Sequence, residues 1–554
     1  MGIARKQGEL SRLAEEKSVI CNLFPLVCDE EWMMQALWDV LHNEGAITAG
    51  VDGKVKADYL DVQTNTLTQE AVDSVKETCL ELREGNYHPK PVLRTYIPKP
   101  NGKQRPIGIP TIRDRMVQEA IRMVLEPIYE STFLNCSYGF RPNRCTIDAI
   151  TMCRRFIQPT TKYYWVIEGD IKGCFDNIDH YILLKLIRKR ISDRKLVSTI
   201  RRFLKAGYQE DGRIYKPDKG TPQGGVMSPL LANIYLHELD VWWKNDHADE
   251  KKREARRKQG SGNFILARYA DDFIMLGNGR KRDMEEMKER LSEFLRDELK
   301  LELSREKTLI THAKDGFDFL GFNIRLYENR SGVIILPTKD NIQRVKNTIG
   351  RMLSRRSHEY AVTDMICALH LVVRGWANYY RFVNSFKTFQ ELDRYLQGKF
   401  LKWYRGKYRK KYRAGAREDM RWIKGEEFLK FPNFTDVKVR RYKWSGKLNP
   451  YLEGKVKRMD ENPNNENRWF GNPNSARNTD LRFECYKRDD GVCQICKRPK
   501  VNLVAHHIIP LAEGGEDKLD NLIAICEDCE KKFYKELHQV TRSRQEIKQL
   551  GGAV

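Results

Sequence analysis

Residues 264–277 read FILARYADDFIMLG. Two apolar runs flank Tyr269-Ala270-Asp271-Asp272, and a glycine closes the segment. Adjacent carboxylates inside a strand-like run cost too much to bury unless something cationic compensates them. A turn joining two short strands would expose both at one edge, ready for a divalent metal. A third carboxylate, Asp170, ends another apolar run, WVIEGD at 165–170. Metal-assisted nucleotidyl transfer needs carboxylates from separate chain segments to hold two Mg²⁺ ions. For an Asp-Asp pair taken alone, the plain alternative is a solvated turn.

Outward from this stretch, short apolar strands alternate with helical patterns from 90 to 330, which predicts an α/β or α+β domain built around a sheet. Residues 1–80 read as helices interrupted by the glycine-rich GAITAGVDG at 45–53, and 245–263 is a polar, basic insertion. Spaced apolar and aromatic positions over 340–400 predict a helical bundle. Between 401 and 460 stand 19 Lys/Arg against 7 Asp/Glu, interleaved with Trp403, Tyr404, Tyr408, Tyr412, Trp422, Tyr442 and Trp444. Such a mixture suits nucleic acid, because cations track phosphates and aromatic faces stack on bases; the alternative is a helical module whose aromatics are core. The Asn/Pro-rich stretch 461–480 is a linker.

With 554 residues, more than one hydrophobic core is expected. The net charge of +23 points to a polyanionic partner. No run reaches the ~18 apolar residues of a membrane span, and the start, MGIARKQGELSRLAEE, lacks the apolar core of a secretory signal. Most of the 13 cysteines are scattered; only Cys493, Cys496, Cys526 and Cys529 form a pattern. That usage predicts a reducing, cytoplasmic compartment and a metal knuckle instead of a disulfide scaffold.

In order along the chain stand GVDG at 50–53, IPKPNGKQRPIGIPTIRDRMVQEAI at 97–121, SYGFRPNR at 137–144 and GDIKGCFDNIDH at 169–180. GTPQGGVMSPLLANIYLHELD at 220–240, YADDF at 269–273, LSREKT at 303–308 and FLGFNI at 319–324 continue the series. Together these segments resemble the group II intron-encoded reverse transcriptases. The resemblance implies that Asp170, Asp271 and Asp272 bind Mg²⁺, with Ile171 grouped among the metal positions. It makes Phe175 the bulky side chain that excludes a 2′-hydroxyl and so selects dNTPs. Lys99 and Arg105, in a Pro/Gly-bounded hairpin, would clamp the triphosphate, and Gln223 would lie against nucleotide and template. Arg141 and Lys307 would position template or primer. HLVVRGWANYYR at 370–381 resembles the thumb or maturase helices of the family, its aromatics read as core.

At the C-terminus, the two Cys-x₂-Cys pairs supply four thiolates, a tetrahedral set for structural Zn²⁺. Between them lie LVAHHIIP and EGGEDKLDNL, and the last pair falls in IAICEDCEKKF. A strand bearing His-His, a Gly-Gly turn and a helix holding the last Cys pair resemble the HNH endonucleases. The resemblance makes His507 the general base, His506 a ligand of the catalytic Mg²⁺ and Asn521 the residue orienting the base. Glu530 stands where the family has His or Asn; a carboxylate there can hold Mg²⁺ or can leave the nuclease weakened. His506 and His507 alternate faces in a regular strand, so a local twist is expected to bring both to one site.

The resulting expectation is a multidomain α+β protein: a right-hand polymerase with fingers and palm over 1–335, a helical thumb over 336–400, a basic DNA-binding region and linker over 401–480, and a zinc-stapled ββα-metal HNH domain over 481–554. The resemblance implies partnership with group II intron RNA, target DNA and dNTPs, and reverse transcription, splicing assistance and second-strand nicking in retrohoming. The competing readings are an RNA-folding cofactor with a relic nuclease and a reverse transcriptase serving defence or diversity generation.

Overall fold

The two apolar runs around Asp271 become strands Phe264–Tyr269 and Asp272–Gly277, paired as a hairpin. On its other edge Asp272–Gly277 pairs with Trp165–Asp170, which pairs in turn with Leu309–His312. Every neighbour in this four-stranded sheet is antiparallel, so the alternation read from sequence resolves as α+β. Helix Lys281–Leu299 packs on Trp165–Asp170 and helix Thr146–Phe156 on Phe264–Tyr269, and the hairpin strands are buried along almost their whole length. Helix 281–299 buries Met284, Met287, Leu291, Leu295 and Leu299, one stripe at helical spacing. At about 1.5–3 kcal/mol per buried side chain, that stripe holds down a helix whose outer face is charged. Gly169 lies opposite Phe273, and a Cβ there would stand 2.1 Å from the Phe273 ring. The ring lies across the glycine, so the strand ending in Asp170 tolerates no side chain there.

The computed structural model describes residues 2–61, 66–98, 102, 104–304, 306–327, 332–408, 431–440, 442 and 449–452, and towards the C-terminus 485, 488, 492–494, 503–507 and 518–526. They fall into two units, one comprising 1–320, 324–333 and 443–458, the other 321–323, 334–442 and 459–554. In the first unit a second sheet has the order Gln104–Ile109, Val92–Pro98, Tyr208–Glu210, Arg213–Tyr215. The helices expected before residue 80 are Ile3–Glu16, Glu30–Leu41 and Gln69–Glu84; the first two pack on the buried helix Ile112–Glu130. The basic insertion holds helix Glu250–Lys258, which buries none of its residues. Residues 449–452, grouped by sequence with the basic region, belong to this unit: the Tyr451 hydroxyl donates to Glu126 and Asn449 donates to Ser11 Oγ at 2.8 Å.

The bundle expected over 340–400 consists of helices Lys339–Met352, Val362–Tyr380 and Phe386–Lys407. Trp376 meets Phe434 edge-on, and Asp393 accepts the backbone N–H of Phe434. Trp403 and Tyr404 are buried in this unit, so for these two the expectation of base-stacking aromatics is corrected: they are core. Tyr412, Trp422 and Trp444 lie outside the described residues.

Further along, Leu503–His507 pairs antiparallel with Leu522–Cys526 around a small core of Cys485, Ala505, Leu522 and Ala524. Cys526 therefore ends a strand, a correction to its expected place in a helix. Among the described residues, no helix is long and apolar enough to cross a membrane.

Candidate functional site

Strand register assembles the site. Asp170 and Asp272 are direct cross-strand partners, and Asp272 also faces Tyr269 across the two-residue turn Ala270-Asp271. Like charges directly opposite on a ladder are destabilising without a counter-charge. Removal from bulk water, then the negative charges of Asp271 and Asp170, push the Asp272 carboxyl up to about 6, although it keeps a face open to solvent. Desolvation and the Asp170 charge likewise raise Asp271, against the opposing pull of Arg105 and Arg268. The donors are hard carboxylate oxygens with surplus negative charge, which fits a divalent cation. Among the described residues, no three His, Cys, Asp or Glu side chains already converge on a metal-sized point. Ile171, the next residue on the strand, is buried and apolar, leaving only its backbone carbonyl as a possible donor.

The turn is braced from beneath by residues that the sequence reading did not single out. Arg268 is fully buried and pairs with the equally buried Asp240 through contacts of 2.8 and 2.6 Å. It also donates to Asn233 Oδ1 and to the carbonyl of Ala270, both at 3.0 Å, and to Ser137 Oγ at 2.8 Å. Asn233 in turn donates to the carbonyl of Gly139 at 2.8 Å. A Cβ on Gly139 would stand 2.5 Å from the Ala270 nitrogen, so SYGF is the backbone seat of the turn. Ala270 has φ 57°, a left-handed conformation that this seat must hold in place. The available signal was an arginine inside an otherwise apolar strand, which requires a buried acid somewhere else in the chain.

The other expected residues distribute as follows. Phe175 is half-buried, and its carbonyl accepts from Thr221 N–H at 2.8 Å, joining the DIKGCF and TPQGG segments. Gln223 is held through its own carbonyl, which accepts from Gly108 N–H at 2.7 Å. Gly224 allows that approach, since a Cβ there would lie 2.5 Å from the Gly108 oxygen. Arg105 is exposed opposite Ile97, and its positive charge acts on both Asp271 and Asp272. Lys99 lies outside the described residues. Lys307 Nζ stands 2.9 Å from Asp170 Oδ2, so its observed partner is a carboxylate of the site. Arg141 is corrected: its guanidinium is buried and donates to both oxygens of Glu130 and to the carbonyls of Leu134, Ser137 and Phe133. It clamps the 133–141 loop and has no donor left for a template or primer.

In the C-terminal ladder, Ile523 and Leu522 oppose His506 and His507 in consecutive register. His506 is buried. Asn521 precedes Leu522, so positions 507 and 521 meet at one end of the ladder. Cys493 is buried, and Gln494 N–H donates to the carbonyl of Ala524 at 2.9 Å, drawing the first Cys segment towards the strand that ends in Cys526. Cys496, Cys529 and Glu530 lie outside the described residues.

The reverse transcriptase (RNA-dependent DNA polymerase) family matches residues 97–324, the group II intron maturase-specific domain 342–422 and the HNH endonuclease family 493–536. Protein YkfC of Escherichia coli K12 is 39% identical over 332 residues, covering 56% of this chain and 85% of that protein. The chain belongs to the group II intron-encoded reverse transcriptases. The group II intron-encoded protein LtrA of Lactococcus lactis subsp. cremoris is 40% identical over 347 residues, 54% of this chain and 55% of LtrA. A putative COX1/OXI3 intron 1 protein of Saccharomyces cerevisiae is 29% identical over 452 residues, 68% of this chain and 53% of that protein. The chain thus matches about half the length of LtrA. Its reverse transcriptase match contains all three carboxylates of the sheet edge together with Arg268 and Asp240. In this intron-encoded reverse transcriptase the maturase match runs on to 422, past the boundary at 400 expected from sequence.

Proposed function

We propose that this protein is the RNA-directed DNA polymerase of a mobile group II intron, acting also as splicing maturase and as second-strand endonuclease. The observation that carries the polymerase reading is the cross-strand pairing of Asp170 with Asp272 beside the braced Asp271 turn. Mg²⁺ held by these carboxylates would lower the pKa of the primer 3′-hydroxyl and neutralise the leaving pyrophosphate. The protein's own part is positioning. Asp170, Asp271 and Asp272 fix the cation sites at the sheet edge, with the Ile171 carbonyl as a further donor. The central sheet serves as palm and the Val92–Ile109 hairpin as fingers, where Lys99 and Arg105 clamp the triphosphate. Phe175, tied to Thr221, walls off the sugar's 2′ position, and Gln223 sits against nucleotide and template. Lys307 exchanges its Asp170 partner for the phosphates of primer or nucleotide. The three helices after residue 339 serve as thumb and maturase region, and 401–480 as DNA-binding region.

For the C-terminal unit, the bond from Gln494 to Ala524 supports a zinc knuckle of Cys493, Cys496, Cys526 and Cys529. The meeting of positions 507 and 521 at one ladder end supports His507 as general base oriented by Asn521, with His506 and Glu530 as candidate Mg²⁺ ligands. A cytoplasmic setting with intron RNA and target DNA as partners completes the reading.

The test is primer extension on an RNA template by the wild type and by Asp271→Asn, with RNA affinity measured in parallel. Loss of a metal ligand removes several kcal/mol of transition-state stabilisation, so cDNA synthesis should fall below detection while RNA affinity is retained. Near-normal synthesis by Asp271→Asn would refute the assignment.

A further inference from the structure

Residues 175–180 and 219–221 are laced together by backbone, and one buried side chain takes part. Thr221 N–H donates to the Phe175 carbonyl and Gly220 N–H to the Ile178 carbonyl, both at 2.8 Å. Asp179 bridges Lys219 in antiparallel register. Gly220 has φ 92°, and a Cβ there would lie 2.8 Å from the Asp176 oxygen, so the two segments meet backbone to backbone. The side chain is that of His180, the first residue of helix His180–Arg188, whose Nε2 stands 2.7 Å from the Gly220 carbonyl. A carbonyl only accepts, so Nε2 carries the proton and donates.

The Gly220 carbonyl and the Thr221 N–H are the two ends of one planar peptide group. His180 holds its oxygen and the Phe175 carbonyl takes its hydrogen, which fixes the plane from both sides. Gly220 does not fix it alone, because glycine changes backbone conformation at little cost. Without the imidazole the plane is free to tilt, and the Thr221 N–H turns away from Phe175 with it. Phe175 lies in the four-residue helix Cys174–Asn177, and a single turn does not hold itself, so bonds from outside set where the ring stands. Exclusion by contact is steep in distance: a radial gap of roughly 0.5–1 Å already gives up a quarter to a half of a van der Waals contact. A buried histidine at a helix start could simply be a satisfied polar group or a cap. Here Asp179 already caps the helix, accepting from Ile182 N–H at 2.9 Å, and His180 reaches instead to a residue 40 positions along the chain.

We propose that His180 is a positioning residue for sugar selection: through the Gly220–Thr221 peptide it holds Phe175 where the ring excludes a 2′-hydroxyl. The proposal rests on the role given to Phe175 above and extends it by naming what sets the position of the ring.

The experiment uses the full chain and measures incorporation of a single ribo- or deoxyribonucleotide on a primed RNA template. His180→Phe fills the space without a donor, and His180→Asn carries an amide that stops short of Gly220. His180→Gln carries an N–H at a reach close to that of Nε2. The ratio of kcat/KM for rNTP to that for dNTP is taken within each preparation, so any inactive fraction cancels. The ratio should rise about fivefold in His180→Phe and His180→Asn, the factor that one hydrogen bond's net contribution sets, and stay within about twofold of the wild type in His180→Gln. A purely structural loss lowers both efficiencies together and leaves the ratio where it was. Phe175→Ala should raise the ratio further, and adding His180→Phe to it should bring no additional rise, because the ring to be positioned is gone. A rise with Phe175→Ala but none with His180→Phe or His180→Asn would overturn the proposal and leave Phe175 as the selecting side chain. No rise with Phe175→Ala would remove that role from Phe175, and the proposal with it. A rise in His180→Gln equal to that in His180→Phe, or a further rise in the double variant, would likewise overturn it.

Discussion

Replacing Arg268 by Met removes a guanidinium that is fully buried between Asp240, Asn233, Ser137 and the Ala270 carbonyl. The Asp240 carboxylate is left in the interior without its counter-charge. Burial by itself would raise its pKa, yet the Arg268 charge and hydrogen bonds beside it hold the carboxyl below the usual range. Because the folded-state pKa is depressed, this stabilisation is present at neutral pH and disappears as pH falls through the folded-state value. Breaking a buried pair on one side costs about 3–5 kcal/mol, so the single variant should melt roughly 5–10 °C lower. It should also lose about 100-fold in kcat, since misplacing a catalytic turn by an ångström has that order of effect. The double variant Arg268→Met with Asp240→Leu separates the two consequences. Replacing both ions by apolar side chains should restore most of the melting temperature, whereas the Ala270 carbonyl still lacks its donor and kcat should stay low. Denaturation and single-turnover primer extension on the same preparations provide the readouts. Recovery of both stability and kcat in the double variant would refute a positioning role and leave Arg268 as a fold-stabilising residue alone.

Gly139→Ala introduces a Cβ 2.5 Å from the Ala270 nitrogen and should lower kcat at least tenfold with little change in KM for dNTP; an unchanged kcat would mean that the turn is not seated on this glycine. With the Asp272 carboxyl pushed up to about 6, the ionised cluster disfavours the folded state as pH rises through that value, and a bound cation relieves it. Mg²⁺ should therefore raise the melting temperature more at pH 7.5 than at pH 5.5, and equal shifts at the two pH values would contradict the cluster. Phe175→Ala should raise the ratio of ribonucleotide to deoxyribonucleotide incorporation; a constant ratio reduces Phe175 to packing. His507→Ala should abolish second-strand nicking while zinc content stays at the wild-type level, whereas Cys496→Ser should lose zinc.

What the sequence determined by itself was the chemistry and the local pattern. The run around Asp271 and Asp272 dictated two short strands with a turn between them, because apolar residues on both sides of two carboxylates admit few other arrangements. Asp170, at the end of its own apolar run, was legible for the same reason, and so was the helical stripe of the 340–400 bundle. What only the tertiary structure decided depended on which distant segments meet. Asp170 stands opposite Asp272 through strand register, which sequence spacing does not encode. Arg268 and Asp240 are 28 residues apart and find one another only when helix Ser228–Trp243 lies against the hairpin. Arg141 and Trp403 carry side chains that suit nucleic acid equally well in sequence, and folding turned both inward. Charge and ring type set what a side chain can bind, but burial sets whether it meets solvent at all. Burial is a property of the packed chain, and no local run of residues contains it.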